Sequence, residues 1–423
     1  METMVKKVTA VVLGAGKSKR TRTNVPKVLL DLGGKPLIFY ILETLSSIKM
    51  IDEIFLVVGH KREKIQQVVY RKFRNVRFVV QPRQNGTAKA VEATKDFLKE
   101  KRNLLVICGD TPLIRKDTLK KFINFFFKKD ADCAIITALF KEKSDLGKVI
   151  RDSSNRIKAI IEKTNIKSRD NEEVNSGIYC FKKNFLFKEL SKIKLNKKKR
   201  EFFLTDIINI FYNKGFKIES FIVDDEEEIL GVNTQKNFAL VRKIINQRFL
   251  EKLMSRGVSI VDPETTFVSF DTKIGINSIV YPFTFIEKNV IIGNNCVVGP
   301  FAHIRAHSKI EDNSKVGNFT EINRSVLKKN VRMKHFSYIG DTTVGEAVNI
   351  GAGTVIANYD GKRKHNTTIG KRAFIGSGTV IVAPANIGEG AMTGAGSVVT
   401  KPVKSNTIVV GVPARVFKRK KSK

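Results

Sequence analysis

Three stretches of this sequence carry residue types that could do chemistry. The first is Leu13-Gly14-Ala15-Gly16-Lys17-Ser18-Lys19-Arg20, followed by Pro26-Lys27. Glycines let backbone N–H groups approach a phosphate, and lysine and arginine neutralise its charge. The spacing is neither G-x-x-x-x-G-K-[ST] nor G-x-G-x-x-G, so it points to phosphate without specifying a P-loop or a dinucleotide fold. The second is Cys108-Gly109-Asp110-Thr111-Pro112, which sets a carboxylate after an apolar run, where it could hold a hard divalent cation. The third is Lys334-His335-Phe336-Ser337-Tyr338, around one of only five histidines. Imidazole has a reference pKa near neutral and can serve as a general base. The four cysteines, at 108, 133, 180 and 296, form no C-x-x-C. That excludes a zinc ribbon and a disulfide framework and fits a reducing compartment.

The frame that would hold these groups is legible in the apolar periodicity. Runs at 8–13, 54–58, 76–80 and 104–107 read as buried strands, and 36–46, 61–72, 88–100 and 117–129 as the helices between them. This alternation predicts an α/β domain with a mainly parallel sheet. Residues 236–256 contain neither Gly nor Pro and predict a connecting helix. Beyond 258 the period changes. Val268, Ile274, Val280, Ile286, Ile292, Val298, Ile304, Ile310, Val316 and Ile322 recur every six residues. The register then slips, resumes at Val344, Ile350 and Ile356, and slips again before Ile369, Ile375, Ile381 and Ile387. A six-residue aliphatic period is that of a parallel β-helix, a prism of about eight coils here.

The first motif resembles the L-x-A-G-x-x-x-R…P-K signature of sugar-1-phosphate nucleotidyltransferases. The resemblance continues in order through Gln81-Pro82-Arg83-Gln84-Asn85-Gly86-Thr87, Cys108-Gly109-Asp110, Gly147, Glu162-Lys163, Asn175-Ser176-Gly177, the 201–206 segment and Gly231-Val232-Asn233. Joined to a hexapeptide prism, nearly the whole chain resembles the GlmU family of bifunctional N-acetylglucosamine-1-phosphate uridyltransferases and glucosamine-1-phosphate acetyltransferases. The resemblance implies a Rossmann-like nucleotidyltransferase domain over 1–235, a linker helix over 236–257, a left-handed β-helix over 258–416 and a basic tail over 417–423. It implies Mg2+ on Asp110 and Asn233, and Lys27 and Arg20 near the phosphates. Leu13, Gly14, Ala15, Gly16, Gln81, Gly86, Thr87 and Gly109 would line the UTP site, and Gly147, Glu162 and Asn175 would contact the N-acetylglucosamine. The family loop usually has Ala at Gly14 and Gly at Ser18.

In the prism the resemblance implies His335 as base. It implies Arg305, Tyr338, Asn349, Asn358 and Tyr359 at the amino-sugar phosphate, and Ala352, Ser377 and Ala395 at acetyl-CoA. Asn323 stands where the family usually has a phosphate-binding lysine, with Arg324 beside it. Gly411 stands where it usually has an arginine near the CoA phosphate, with Arg415 and the tail nearby. The prism is also one or two coils shorter before Gly299. The implied product is UDP-N-acetylglucosamine for peptidoglycan and lipopolysaccharide synthesis, made by a cytoplasmic homotrimer with no membrane or nucleic-acid partner.

The composition bounds these readings. Over 423 residues the net charge is +36, yet 42% hydrophobic and 28% charged residues are ordinary globular usage. The excess is spread along the chain, with local runs only at Lys197-Lys198-Lys199-Arg200 and at Lys418, Arg419, Lys420, Lys421 and Lys423. No DNA- or RNA-binding signature accompanies it, so polyanionic small molecules are the expected partners. No apolar run approaches the roughly 20 residues of a membrane helix. Two other readings stay open at this level. One is a monofunctional nucleotidyltransferase with a purely trimerising prism. The other is a nucleic-acid-binding or regulatory protein that keeps the fold without the chemistry.

Overall fold

The computed structural model describes residues 6–17, 23–98, 103–140, 146–162 and 172–419. The chain divides into two compact units, Met1–Val241 and Arg242–Lys423. The boundary falls inside a 20-residue helix, Gln235–Met254, labelled α7 below.

The first unit is a three-layer α/β/α sandwich. In chain order its strands are β1 (Val8–Leu13), β2 (Asp31–Leu32), β3 (Lys35–Pro36), β4 (Ile51–Val58), β5 (Val76–Val80) and β6 (Asn103–Cys108). They continue with β7 (Cys133–Phe140), β8 (Lys148–Arg151), β9 (Ile157–Ile161), β10 (Glu172–Phe181) and β11 (Ile218–Ile222). The helices are α1 (Leu37–Ser46), α2 (Arg62–Tyr70), α3 (Thr87–Glu92), α4 (Lys116–Lys129), α5 (Lys183–Leu190) and α6 (Asp206–Asn213). The main sheet runs β11-β7-β10-β6-β1-β4-β5, with β10 antiparallel to both neighbours and β8 and β9 a side hairpin.

Period-2 alternation explains both layers. Val8, Ala10, Val12, Leu56, Leu105 and Ile107 pack on one side against Ile41 and Leu45 of α1, Ile65 of α2 and Phe122 of α4. Val11, Phe55, Val57, Leu104 and Val106 pack on the other against Val91 of α3, Leu186 of α5 and Phe211 of α6. The chain leaves β1 for β4 on one side and reaches β6 on the other. The carboxyl ends of β1 and β6 therefore flank a switch point, where α/β sheets bind ligands. The third predicted helix differs: α3 stops at Glu92 and a 3-10 turn, Lys95–Phe97, follows.

The second unit is the left-handed parallel β-helix. Its strands, mostly two to four residues long, stack into three sheets of ten, eight and seven strands. The repeat is 18 residues where Ile304 lies beside Ile322 and Ile381 beside Val399, but 17 where Ile322 lies beside Ile339. It grows to 25 from Ile356 to Ile381. These changes are the register slips of the sequence. In the 17-residue coils Leu327, Met333 and Ile339, all 0% exposed, continue the inward row that a strict period of six loses. The shortened corners close on hydroxyls: Ser325 Oγ donates to Asn323 O at 2.9 Å and accepts from Thr342 N at 3.0 Å. In the long coil the extra residues form a loop over 358–366, closed by a bridge between Tyr359 and Lys364.

Helix α7 joins this unit through Leu250 and Leu253 in its core. Asn246 fixes the first coil, donating to Thr266 O at 2.7 Å and accepting from Val268 N at 3.0 Å. At the other end Arg415–Arg419 returns antiparallel to Thr407–Val410. Phe417, Lys418 and Arg419, assigned to the basic tail by sequence, thus lie in a strand, and residues 420–423 lie outside the described residues. The other basic run, 197–200, sits in a turn closed by a bridge between Asn196 and Glu201.

Candidate active sites

In the first unit, side chains distant in sequence converge beyond the carboxyl ends of β1 and β6. Lys27 Nζ is paired with the Asp110 carboxylate and donates to Asn233 Oδ1 at 3.2 Å. A backbone bond from Val232 N to Asp110 O, 2.9 Å, brings the Asn233 segment to the end of β6. Asp110 and Asn233 thus present one carboxylate and one amide oxygen to a common point. That donor set fits Mg2+, which takes hard oxygens and keeps places for water and substrate phosphates. Among the described residues no three His, Cys, Asp or Glu side chains converge as a metal cluster.

The loop after β1 is pinned on both sides. Gly14 N donates to Val57 O and Gly109 N to Leu13 O, both at 2.9 Å. A Cβ on Gly109 would sit 2.8 Å from Ile38 Cδ1, whereas one on Gly16 would meet nothing within 4 Å. Gly16 therefore faces open space while Gly109 allows close packing. A Cβ on Gly14 would stand 3.1 Å from Leu56 Cδ1 and 3.3 Å from the backbone Val57 O, so the family's usual Ala would require both to give by a few tenths of an ångström. Ala15 is buried, and its carbonyl accepts from His60 N at 3.3 Å. Arg20 and Ser18 lie outside the described residues.

The 81–87 segment forms a closed turn. Gln81 is 4% exposed, and its Nε2 donates to Gly86 O at 3.1 Å. Gly86 has φ +123°, and a Cβ there would lie 2.2 Å from Phe202 O. The 201–206 segment packs against this turn: Ala88 N donates to Phe202 O at 3.0 Å, and Leu204 N to Thr87 Oγ1 at 2.9 Å. Gly147, Glu162 and Asn175 also come together. Asn175 N donates to Gly147 O at 2.8 Å, and a Cβ on Gly147 would stand 3.7 Å from Glu162 Cδ. Asn175 Nδ2 is spent on Tyr179 OH at 2.8 Å, and Thr205 Oγ1 donates to Glu162 Oε1 at 3.2 Å. Burial, and after it the Asp110 carboxylate, push the Cys108 thiol up to about 12. Burial and then Glu162 raise the Tyr179 hydroxyl well above its usual range. Sequence reasoning missed Thr205 and Tyr179. Thr205 lies inside a quoted motif, whereas nothing in the sequence marks Tyr179.

In the prism the pairing register explains how the second set is arranged. Met333 lies beside Ile350, Ile350 beside Ile375, and Thr393 beside Val409. His335, Ala352, Ser377, Ala395 and Gly411 each follow such an inward position by two residues. They occupy equivalent corner sites on successive coils, a column with about 4.8 Å per step. The column is tight: a Cβ on Gly351 would stand 2.5 Å from Ser377 N. The His335 imidazole is exposed and makes no hydrogen bond or ion pair among the described residues.

A second group gathers on the sheet that carries Tyr338. Arg305 NH1 donates to Glu321 Oε1 at 2.9 Å, and Glu321 is the cross-strand neighbour of Tyr338. Tyr338 OH and Asn358 Nδ2 meet over Gly340, where a Cβ would stand 2.5 and 2.6 Å from them. Arg324 is bidentate to Asp341 at 2.6 and 2.7 Å, and NH1 donates to Asn323 Oδ1 at 3.0 Å. Asn349 stands on another sheet, between Arg332 and Phe374, so one chain alone does not bring it to Tyr338. Tyr359 is exposed in the 358–366 loop, its hydroxyl donating to Gly361 O at 2.6 Å. The acids Glu321 and Asp341 were not singled out from sequence. Their sequence signal is the spacing of about one coil from an arginine, 16 residues from Arg305 to Glu321 and 17 from Arg324 to Asp341.

Comparison with known proteins bears on both units. A nucleotidyl transferase family model matches residues 9–247. A bacterial transferase hexapeptide model, of six repeats, matches 271–306, 289–324 and 366–401. The Thermosipho africanus protein described as bifunctional protein GlmU is 37% identical over 435 residues, covering 95% of this chain and 94% of its own. Its namesake from Thermotoga maritima is 36% identical, covering 97% of each. That from Acetivibrio thermocellus is 34% identical, covering 97% and 96%.

Proposed function

The chain belongs to the GlmU family, and from that premise we propose that it makes UDP-N-acetylglucosamine in two steps at two sites. The second unit acetylates glucosamine-1-phosphate from acetyl-CoA. The first unit then joins the product to UTP, releasing pyrophosphate. The convergence of Lys27, Asp110 and Asn233 at the β1/β6 switch point carries this reading.

In the first unit the sugar phosphate attacks the α-phosphate in line, and the protein's task is positioning and charge neutralisation. The loop over 13–16 holds the triphosphate, and Lys27 and Arg20 offset its charge. The turn built by Gln81, Gly86 and Thr87 receives the uracil. Gly147, Glu162 and Asn175 orient the sugar, with Thr205 holding Glu162. Mg2+, held by Asp110 and Asn233, would offset charge on the phosphates.

In the second unit His335 removes a proton from the attacking amine, and Arg305, Tyr338 and Asn358 hold the amino-sugar phosphate. Ala352, Ser377 and Ala395 form the wall along which acetyl-CoA lies, continuing His335's own column. The site is completed in a homotrimer, which brings Asn349 and Tyr338 from different copies to one place. An exposed column of Phe283, Phe301 and Phe319, stacked at 4.8 and 5.0 Å, supports self-association. No helix of the described residues is long and apolar enough to cross a membrane, and the four free cysteines fit a cytoplasmic location.

The test is an NTP-by-sugar-phosphate matrix for pyrophosphate release, run with a thiol-release assay for acetyl transfer. UTP with N-acetylglucosamine-1-phosphate should give the fastest pyrophosphate release. Glucosamine-1-phosphate should release thiol from acetyl-CoA in wild type but not in His335→Ala. Brisk uridylyl transfer with no wild-type thiol release would leave a monofunctional enzyme with a structural prism.

A further inference from the structure

We propose that Glu228 is a positioning residue for the divalent-cation seat, stapling the segment that carries Asp110 to the one that carries Asn233. Glu228 is 4% exposed and takes no part in the steps above. A buried carboxylate is costly unless its oxygens are bonded. Here both are: Oε2 accepts from Arg115 N and Oε1 from Thr118 Oγ1, each at 2.9 Å. Arg115 is the N-cap residue of α4, and its own side chain makes no cap bond. Glu228 thus does from across the sequence what the N3 acid does within a capping box, and sits at the positive end of the helix. Arg115 NH2 reaches Asp225 at 2.6 Å, a second link between the same segments.

Arg115 lies five residues after Asp110, and Glu228 five residues before Asn233. Both intervals are anchored. Thr111, Leu113 and Ile114 are buried in one, and Ile229 and Val232 in the other. The backbone bond from Val232 N to Asp110 O ties the segments at the ligand end, and Glu228 ties them at the far end. The staple therefore fixes the separation of the two oxygens meant for one ion. Partners behind metal ligands commonly change affinity by about 10–100-fold when removed.

The inference rests on the reading that Asp110 and Asn233 seat the cation. It is tested by Mn2+ binding to the nucleotide-free, full-length protein, followed by electron paramagnetic resonance alongside thermal melting. Glu228→Ala should weaken Mn2+ binding about tenfold and raise the metal concentration for half-maximal uridylyl transfer alike. Glu228→Gln keeps an acceptor for Arg115 N–H and should stay within about twofold of wild type. Acetyl transfer should be unchanged in both, which reports an intact second unit, while the melting curve reports the fold of the first. If Glu228→Ala binds Mn2+ like wild type, whatever its melting temperature, the staple is only structural and the proposal falls. If Asp110→Asn also binds Mn2+ like wild type, the seat itself is misplaced, and the reading beneath the proposal fails with it.

Discussion

The two units hold their candidate groups in opposite ways. In the α/β unit, residues far apart in sequence meet inside one chain: Lys27, Asp110 and Asn233 share hydrogen bonds. In the prism, residues on successive coils form a column, from His335 through Ala352 and Ser377 to Ala395, and the imidazole stands exposed without a partner among the described residues. A sheet gathers its ligands because successive parallel strands end on the same side. A β-helix instead repeats one corner on every coil, which makes a wall, and a wall needs something opposite it. On the proposed reading, then, the α/β site is built within one chain, and the prism site depends on association.

Variants can break this contrast. The largest effect should come from Asp110→Asn, which removes the one carboxylate of the cation seat. Uridylyl transfer should fall at least about a hundredfold while thiol release is unchanged. His335→Ala should do the reverse, lowering acetyl transfer by about 10²–10⁴-fold with uridylyl transfer intact. Arg305→Ala would remove the charge-assisted phosphate bond proposed for it, typically worth about 1.5–3 kcal/mol. The KM for glucosamine-1-phosphate should rise about 10–100-fold with little change in that for acetyl-CoA. Gly351→Ala would press a methyl against the Ser377 backbone. It should cost the prism about 1–3 kcal/mol, seen as a lower melting temperature, and disturb acetyl transfer alone. The smallest effect concerns Cys108. With its thiol pushed up to about 12, it stays protonated at pH 8, so alkylation there should be slow in the folded protein and fast in denaturant. The same shift lets stability fall as pH climbs from about 9 toward 12, because the unfolded thiol ionises first.

Legibility in the sequence followed the same divide. The parallel strands were readable because buried strands are short apolar runs: β1 and β5 start and stop where Val8–Leu13 and Val76–Val80 do. The antiparallel β10 and the β8–β9 hairpin left no comparable signal, since β10 buries polar Asn175 and Ser176 among its apolar residues and the hairpin strands are short and part-exposed. The prism was readable from its six-residue period until corners changed length. Leu327, Met333 and Ile339 escaped because Ser325 and Thr342 close turns one residue shorter. Individual site residues were named by motif, but their partners were not. Thr205, Tyr179, Glu321, Asp341 and Glu228 are ordinary residue types that matter only through what folding places beside them.

On the proposed function the two sites work independently and are linked only by a diffusible intermediate. The most direct test mixes Asp110→Asn and His335→Ala proteins with glucosamine-1-phosphate, acetyl-CoA, UTP and Mg2+, and measures UDP-N-acetylglucosamine. Neither variant alone should form it at more than a trace, and the mixture should restore synthesis to a large fraction of the wild-type rate. Failure of the mixture, or loss of both half-reactions in either single variant, would show that the two sites are not independent.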